Sequence, residues 1–378
     1  MKGMTLIMNN QAGWKQGIVF GGGILAFVVG AGFASGQEIM QYFAGLGFWR
    51  SIGAGLIAMV IVGWFSLTIL EDGRKLQLED ENTIFTFYCG RYIGVFFEWF
   101  VPILMFLVAS MMFSAAGSTV NEHFGLNENI GRIFMALATL LTVILGLKKL
   151  VHIVGYIAPV IIIFTIYMGI TGMINGPVTI SESSSLIESL EIPGAYSNWI
   201  ISGFMYAAFL VVGLVPYIAG IGKQAKNKSE TRFGGIFAGV LFLAGVIILG
   251  LGMLSYIDQI YDKEIPALVL ATQTNTVIAN LFAISLILAI YTTAVPMMWT
   301  AINKIEKDDT SRKYKIVAVI LVILGFIGGH LKFSTMVGIV YPATGVMGII
   351  VFLGMLYTKL IKKPEPRKPS SGVTKDNE

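Results

Sequence analysis

The stretch Gly30-Ala31-Gly32-Phe33-Ala34-Ser35-Gly36-Gln37-Glu38 constrains this chain most, because it interrupts an apolar run from Trp14 to Gly47. From Gln16 to Val29 only the first residue is polar, and nothing there stops a helix once begun. Three glycines then fall at positions 30, 32 and 36. In hydrocarbon an unwound backbone leaves unpaired polar groups that cost several kcal/mol each, so a break survives only where protein, water or a ligand meets it. Ser35 followed by Glu38 has the spacing of a capping box and predicts a helix restart. The stretch reads as one membrane span built from two half-helices. The competing reading is a continuous span whose small residues let a neighbouring helix approach closely.

The rest of the chain places this feature in a polytopic membrane protein. Of its 378 residues 55% are hydrophobic and 13% charged, about half the charge of a soluble domain, and the mean hydropathy is +0.77. A bilayer core needs roughly 20 apolar residues per crossing. Ten segments qualify, near 14–44 (interrupted), 48–70, 92–120, 130–147, 150–174, 199–222, 233–257, 276–302, 315–331 and 334–360. With that count, all but four of the 26 Lys and Arg residues fall on one face; the exceptions are Arg50, Arg132, Lys263 and Lys332. The positive-inside rule then places both termini in the cytoplasm of a cell-membrane protein. The first apolar segment is a full span, so no cleaved signal peptide is expected. The single cysteine, Cys89, excludes a disulfide within the chain.

The outward loops carry acidic residues. In the one around 175–198, Leu186, Ile187 and Leu190 have helical spacing and predict a short surface helix. The loop at 258–275 contains Ile265-Pro266-Ala267-Leu268-Val269-Leu270, apolar enough to dip into an outer vestibule. The charged, Pro-rich end from about residue 361 to 378 reads as a disordered cytoplasmic tail. One transmembrane domain is expected, with one five-helix repeat over 14–174 and a second, inverted repeat over 199–360.

In transporters of that design the solute site lies at mid-membrane between interrupted helices at matching positions of the two halves. The sixth span, Trp199 to Tyr217, is therefore also expected to be discontinuous. Gly203, Ala207, Ala208, Gly213 and Pro216 supply small or breaking residues, and Tyr206 and Phe209 flank the expected opening. A Pro-kinked continuous helix is the alternative.

Gly30-Ala31-Gly32-Phe33 resembles the Gly-small-Gly-apolar unwound motif of the amino acid–polyamine–cation transporter superfamily. The fuller Gly-Ala-Gly-Phe-Ala-Ser-Gly-Gln-Glu pattern most resembles its YkvI-type branch. The resemblance covers essentially all ten spans. It implies an all-α integral membrane fold, ten helices in a LeuT-like five-plus-five inverted repeat with helices 1 and 6 discontinuous. It also implies where a coupling sodium ion would bind: carbonyls of Ala26 and Val29 before the break, with Ala289, Thr292 and Thr293 on the eighth span. Without an ion, the two threonines would bond back to carbonyls of their own helix. Proton-coupled relatives carry a lysine on the fifth span, and no Lys or Arg lies between His152 and Asn175.

If span one is broken, the amides of Ala31 to Ser35 and the positive end of the second half-helix would draw an anionic group. The expected solute site comprises Gly30, Ala31, Gly32, Phe33, Ala34 and Ser35, facing Met105, Phe106, Ala109 and Ser110 on span three and Tyr206, Ala207 and Phe209 on span six. Glu38 caps the second half-helix or meets a substrate amine or proton. Glu98 is a second intramembrane carboxylate, a coupling or gating candidate that could pair with Arg91. The three histidines form no metal-binding motif, no hydrolase or phosphate-loop motif occurs, and no cofactor beyond the coupling ion is expected. The sequence predicts a secondary transporter, not an enzyme, that moves a small organic solute, an amino acid, with sodium. Its partners would be that solute and the lipid bilayer, with no nucleic acid. A proton-coupled transporter and a transporter-like sensor remain the rivals.

Overall fold

The computed structural model describes residues 2–145, 150–190, 192 and 194–361, with backbone alone for 2–12, 150–159 and 180. The tail beyond Ile361 and the basic pair Lys148-Lys149 lie outside the described residues. The chain is all-helical where described. In order, the helices are α1 (Lys2–Val28), α2 (Ala31–Ser35), α3 (Gln37–Tyr42), α4 (Phe48–Leu76), α5 (Ile84–Phe124), α6 (Glu128–Leu145), α7 (Leu150–Asn175) and α8 (Ile180–Ser189). There follow α9 (Trp199–Gly222), α10 (Lys228–Leu254), α11 (Ile257–Ile260), α12 (Pro266–Thr274), α13 (Thr276–Ile305), α14 (Arg312–Gly328) and α15 (Phe333–Leu360). Among the described residues seven helices are long and apolar enough to cross a membrane: α4, α5, α6, α9, α10, α13 and α15. Their outer faces are apolar too; α6 exposes Phe134, Leu137 and Leu141, as a lipid-facing stripe would.

Helix starts are set by side-chain caps that occupy first-turn amides. Asn198 accepts from the Ile200 and Ile201 amides, Asn227 from Glu230, Asn275 from Val277 and Ser311 from Tyr314. The helix anticipated in the 175–198 loop is α8, opened by a capping box between Thr179 and Glu182. The Thr179 N–H and hydroxyl hold the Glu182 carboxyl below its ordinary range. The apolar part of the 258–275 loop is α12, whose Pro266, Ala267, Leu268, Leu270 and Ala271 are buried.

The helices pack in two groups. In one, α4 lies against α9 and α10, and α10 against α1. In the other, α5 and α13 pack together, α6 and α14 against both. Helix α7 joins α10 to α13, and α15 joins α9 to α5.

Helix α9 corrects an expectation. It runs unbroken from Trp199 through Pro216 to Gly222. Its small residues serve close packing instead: a methyl on Gly203 would fall 3.0 Å from the Ala54 Cα of α4, and one on Gly222 would fall 2.9 Å from the Leu70 Cα.

Candidate functional site

The helical path changes twice in the glycine-dense stretch. Helix α1 closes with the Val29 N–H on the Leu25 carbonyl at 2.7 Å. Gly30 is extended (φ −80°, ψ −170°) and opens α2, where the Ala34 N–H reaches its carbonyl at 3.0 Å. Gly36 is left-handed (φ 86°) and separates α2 from α3. The expected Ser35–Glu38 capping box is absent: α3 has no side-chain cap. The Ser35 hydroxyl donates back to the Gly32 carbonyl at 2.7 Å and accepts from the Gln37 N–H at 3.2 Å. Glu38, released from the cap by the turn at Gly36, points elsewhere.

Its carboxyl lies in the bundle interior, 4% exposed. The Tyr206 hydroxyl of α9 donates to one oxygen at 2.5 Å and the Tyr341 hydroxyl of α15 to the other at 2.9 Å. The carboxyl covers Gly32 so closely that a methyl there would overlap Oε1 and stand 2.7 Å from the Tyr341 hydroxyl. Tyr341 stacks on Phe209, ring centroids 3.9 Å apart and planes 14° apart.

These groups border a cavity of about 90 Å³. Of the residues singled out from the sequence, Gly30, Ala31, Gly32, Glu38, Met105, Phe209, Gly213 and Thr293 line it. Tyr206 bounds it only through Glu38. Phe33, Ala34 and Ser35 are buried within α2 away from the lining, with Phe33 edge-on to Phe242 of α10. Phe106, Ala109, Ser110 and Ala207 also lie off it. The α5 stripe facing the space is Leu104, Met105, Val108 and Met112. Ser110 lies about 200° round the helix from Val108, donates to the Phe106 carbonyl and abuts Gly325 of α14. Sequence reasoning missed Tyr341. Its signal was a phenol before a proline, Tyr341-Pro342, inside an apolar span.

A second cavity, about 130 Å³, lies on the other side of the break. Ala26, Val29, Ala289, Thr292 and Thr293 all line it, beside Ile161 of α7 and Pro296. The Thr292 and Thr293 hydroxyls both donate to the Ala289 carbonyl, at 3.0 and 2.9 Å. Phe27, Gly30, Thr293 and Met297 border both spaces, so the interruption is the wall between them. Glu98 lines neither. It is half-buried, Arg91 is exposed, and among the described residues no ion pair joins them: their seven-residue separation is about 10 Å of helix.

Polar ties close the bundle at both ends. At one, Gln37 donates to the Lys263 carbonyl at 2.5 Å, and Glu122 of α5 accepts from the Glu264 and Ile265 amides at 2.7 and 3.0 Å. Glu264 in turn accepts from the Ser334 N–H and hydroxyl at 2.7 and 2.9 Å. At the other, Asp72 of α4 takes the Tyr88 hydroxyl at 2.6 Å and pairs with Lys359 of α15, while Glu81 pairs with Lys223 at 2.9 Å.

The chain shares its fold with solved membrane transporters. The chain superposes on the inward-facing conformation of Mhp1 with a TM-score of 0.62 at 12% identity, covering 93% of this chain and 77% of that one. It matches a substrate-bound, outward-open sodium-coupled sialic acid symporter with a TM-score of 0.58 at 12% identity, covering 92% and 79%. In sequence it is 21% identical over 343 residues to the uncharacterized membrane protein YkvI of Bacillus subtilis (strain 168), covering 90% of this chain and 94% of the relative. No family model matches.

Proposed function

We propose that this protein is a secondary transporter, not an enzyme, which moves a small organic solute by alternating access. The solute class best suited to the site is an amino acid, and the coupling ion is sodium. One observation carries the reading: the interruption at Val29–Gly30 separates two adjacent, largely apolar cavities, one holding the Thr292 and Thr293 hydroxyls beside the end of α1 and the other the Glu38 carboxyl. A small hard cation takes all-oxygen ligands. The carbonyls of Ala26 and Val29 end α1, where the helix dipole is negative. Thr292 and Thr293 spend their protons on Ala289, which leaves hydroxyl lone pairs for a cation. Ion binding would then fix Gly30, which both cavities share, and so couple to the solute.

The packing supports a five-plus-five inverted repeat across one domain, with α1–α3, α7 and α14 crossing besides the seven long spans. Pair α1 with α9, α4 with α10, α5 with α13, α6 with α14 and α7 with α15. Under that pairing the contact of α1 with α10 maps onto that of α9 with α4, α5–α14 onto α13–α6, and α15–α5 onto α7–α13. In this reading helix 1 is interrupted, its counterpart α9 is not, and both termini are cytoplasmic. The carboxylate ties at either end are the contacts that rocking of one helix group on the other would break in turn.

Reconstituted vesicles test the function. Accumulation of a solute under an inward sodium gradient, lost with choline in place of sodium and reduced at least tenfold by Thr293→Ala, is expected. Uptake indifferent to both changes removes the sodium site.

A further inference from the structure

We propose that the solute binds through a protonated amine, with Glu38 as its counter-charge, and that a carboxylate on the solute is dispensable. The inference rests on the transporter reading and names the chemistry of the same cavity. Among the described residues lining that cavity, Glu38 is the one acidic or basic side chain, and no ion pair includes it. A buried carboxylate without a positive partner is costly and would gain from a cation, while Tyr206 and Tyr341 supply only neutral donors that fix the carboxyl's position. Phe27, Phe209 and Tyr341 line the same cavity, and an aromatic face left open to it would attract a cation. A carboxylate with rings around it selects an ammonium group.

The same placement weakens the opposite choice. An anionic headgroup would have to settle on the amides at the start of α2, yet Glu38 lies against Gly32, the second residue of that turn. The chain has set its own carboxyl beside the anion-attracting end. A zwitterion can still bind, with its ammonium on Glu38, but a solute whose only charge is negative meets like charge.

The test is a matched set of probes on the purified full chain in detergent, followed by calorimetry or thermal shift: n-butylamine and isoamylamine, then valerate and isocaproate, then leucine. Amines are expected to bind at least tenfold tighter than the matched carboxylates. Glu38→Gln, which keeps a partner for both tyrosines, should weaken the amines about 10- to 100-fold, the range for losing a charged hydrogen bond. Carboxylates that bind as well as the amines, amines that do not bind, or Glu38→Gln with unchanged amine affinity would each overturn the proposal. The selectivity of the unmodified protein decides even if the variant does not fold. Amine binding without flux in vesicles would sink the transporter reading and spare this one; uptake of a carboxylate with no amine would do the reverse.

Discussion

The glycines of α9 that touch α4 and the glycines at the interruption between α1 and α3 serve opposite ends. In α9, Gly203 and Gly222 are the price of contact, since the α4 backbone lies where their side chains would be. In the first span Gly30 has nothing nearer than 3.7 Å to a built methyl, and Gly36 is needed for its left-handed φ of 86°. One set of glycines joins two helices; the other lets one helix change course. The count of small residues alone therefore does not locate a break.

The largest expected effect tests the joining role. Gly203→Ala would press a methyl onto the Ala54 carbonyl, and backbone on both sides cannot yield as a flexible side chain would. A loss of about 3 kcal/mol is expected, at the upper end for overpacking. A melting curve of the detergent-purified variant should show a clear drop, or the protein should fail to extract as a single species. An unchanged melting temperature would mean that α9 and α4 can separate, and the contrast with the first span would fail.

Gly36→Ala probes the turning role and should cost less, about 2 kcal/mol. Part is the left-handed conformation, about 1–2 kcal/mol for an L-residue. The rest is a methyl 2.9 Å from the Ala267 N of α12. Because α12 packs over α2 and α3, hydrogen exchange should rise first in 257–274. A loss confined to α9 and α4 would show that the turn at Gly36 does not hold this loop.

How much of this was legible from residues depended on the range of the contacts involved. The five residues around the second cavity came from the resemblance to known transporters, whereas the positions of Gly30 and Gly36 and the helix in the 175–198 loop follow from spacing along short stretches. Glu38 did not. Within a four-residue window it looked like a cap for Ser35, whereas its partners Tyr206 and Tyr341 stand 168 and 303 residues away. No local pattern carries that distance. Helix α9 misled for the related reason that a run of glycine and alanine looks the same whether it unwinds or packs, and only the Ala54 and Leu70 backbone tells which.

The smallest effect on stability is expected at Gly30 itself, and it separates folding from function. Its φ of −80° and ψ of −170° lie in extended territory open to any residue. A methyl there would meet the Phe27 carbonyl and the Thr293 hydroxyl oxygen at an ordinary 3.7 Å. Gly30→Ala should thus melt within about 0.5 kcal/mol of the parent, the range of substitutions that disturb no contact. The added methyl nevertheless stands on the wall between the two cavities, beside a proposed ion ligand. The sodium concentration for half-maximal uptake should rise several-fold while the melting curve holds still. A variant that melts early would show that Gly30, like Gly203, is there for packing; one that keeps both stability and sodium response would detach the shared wall from coupling.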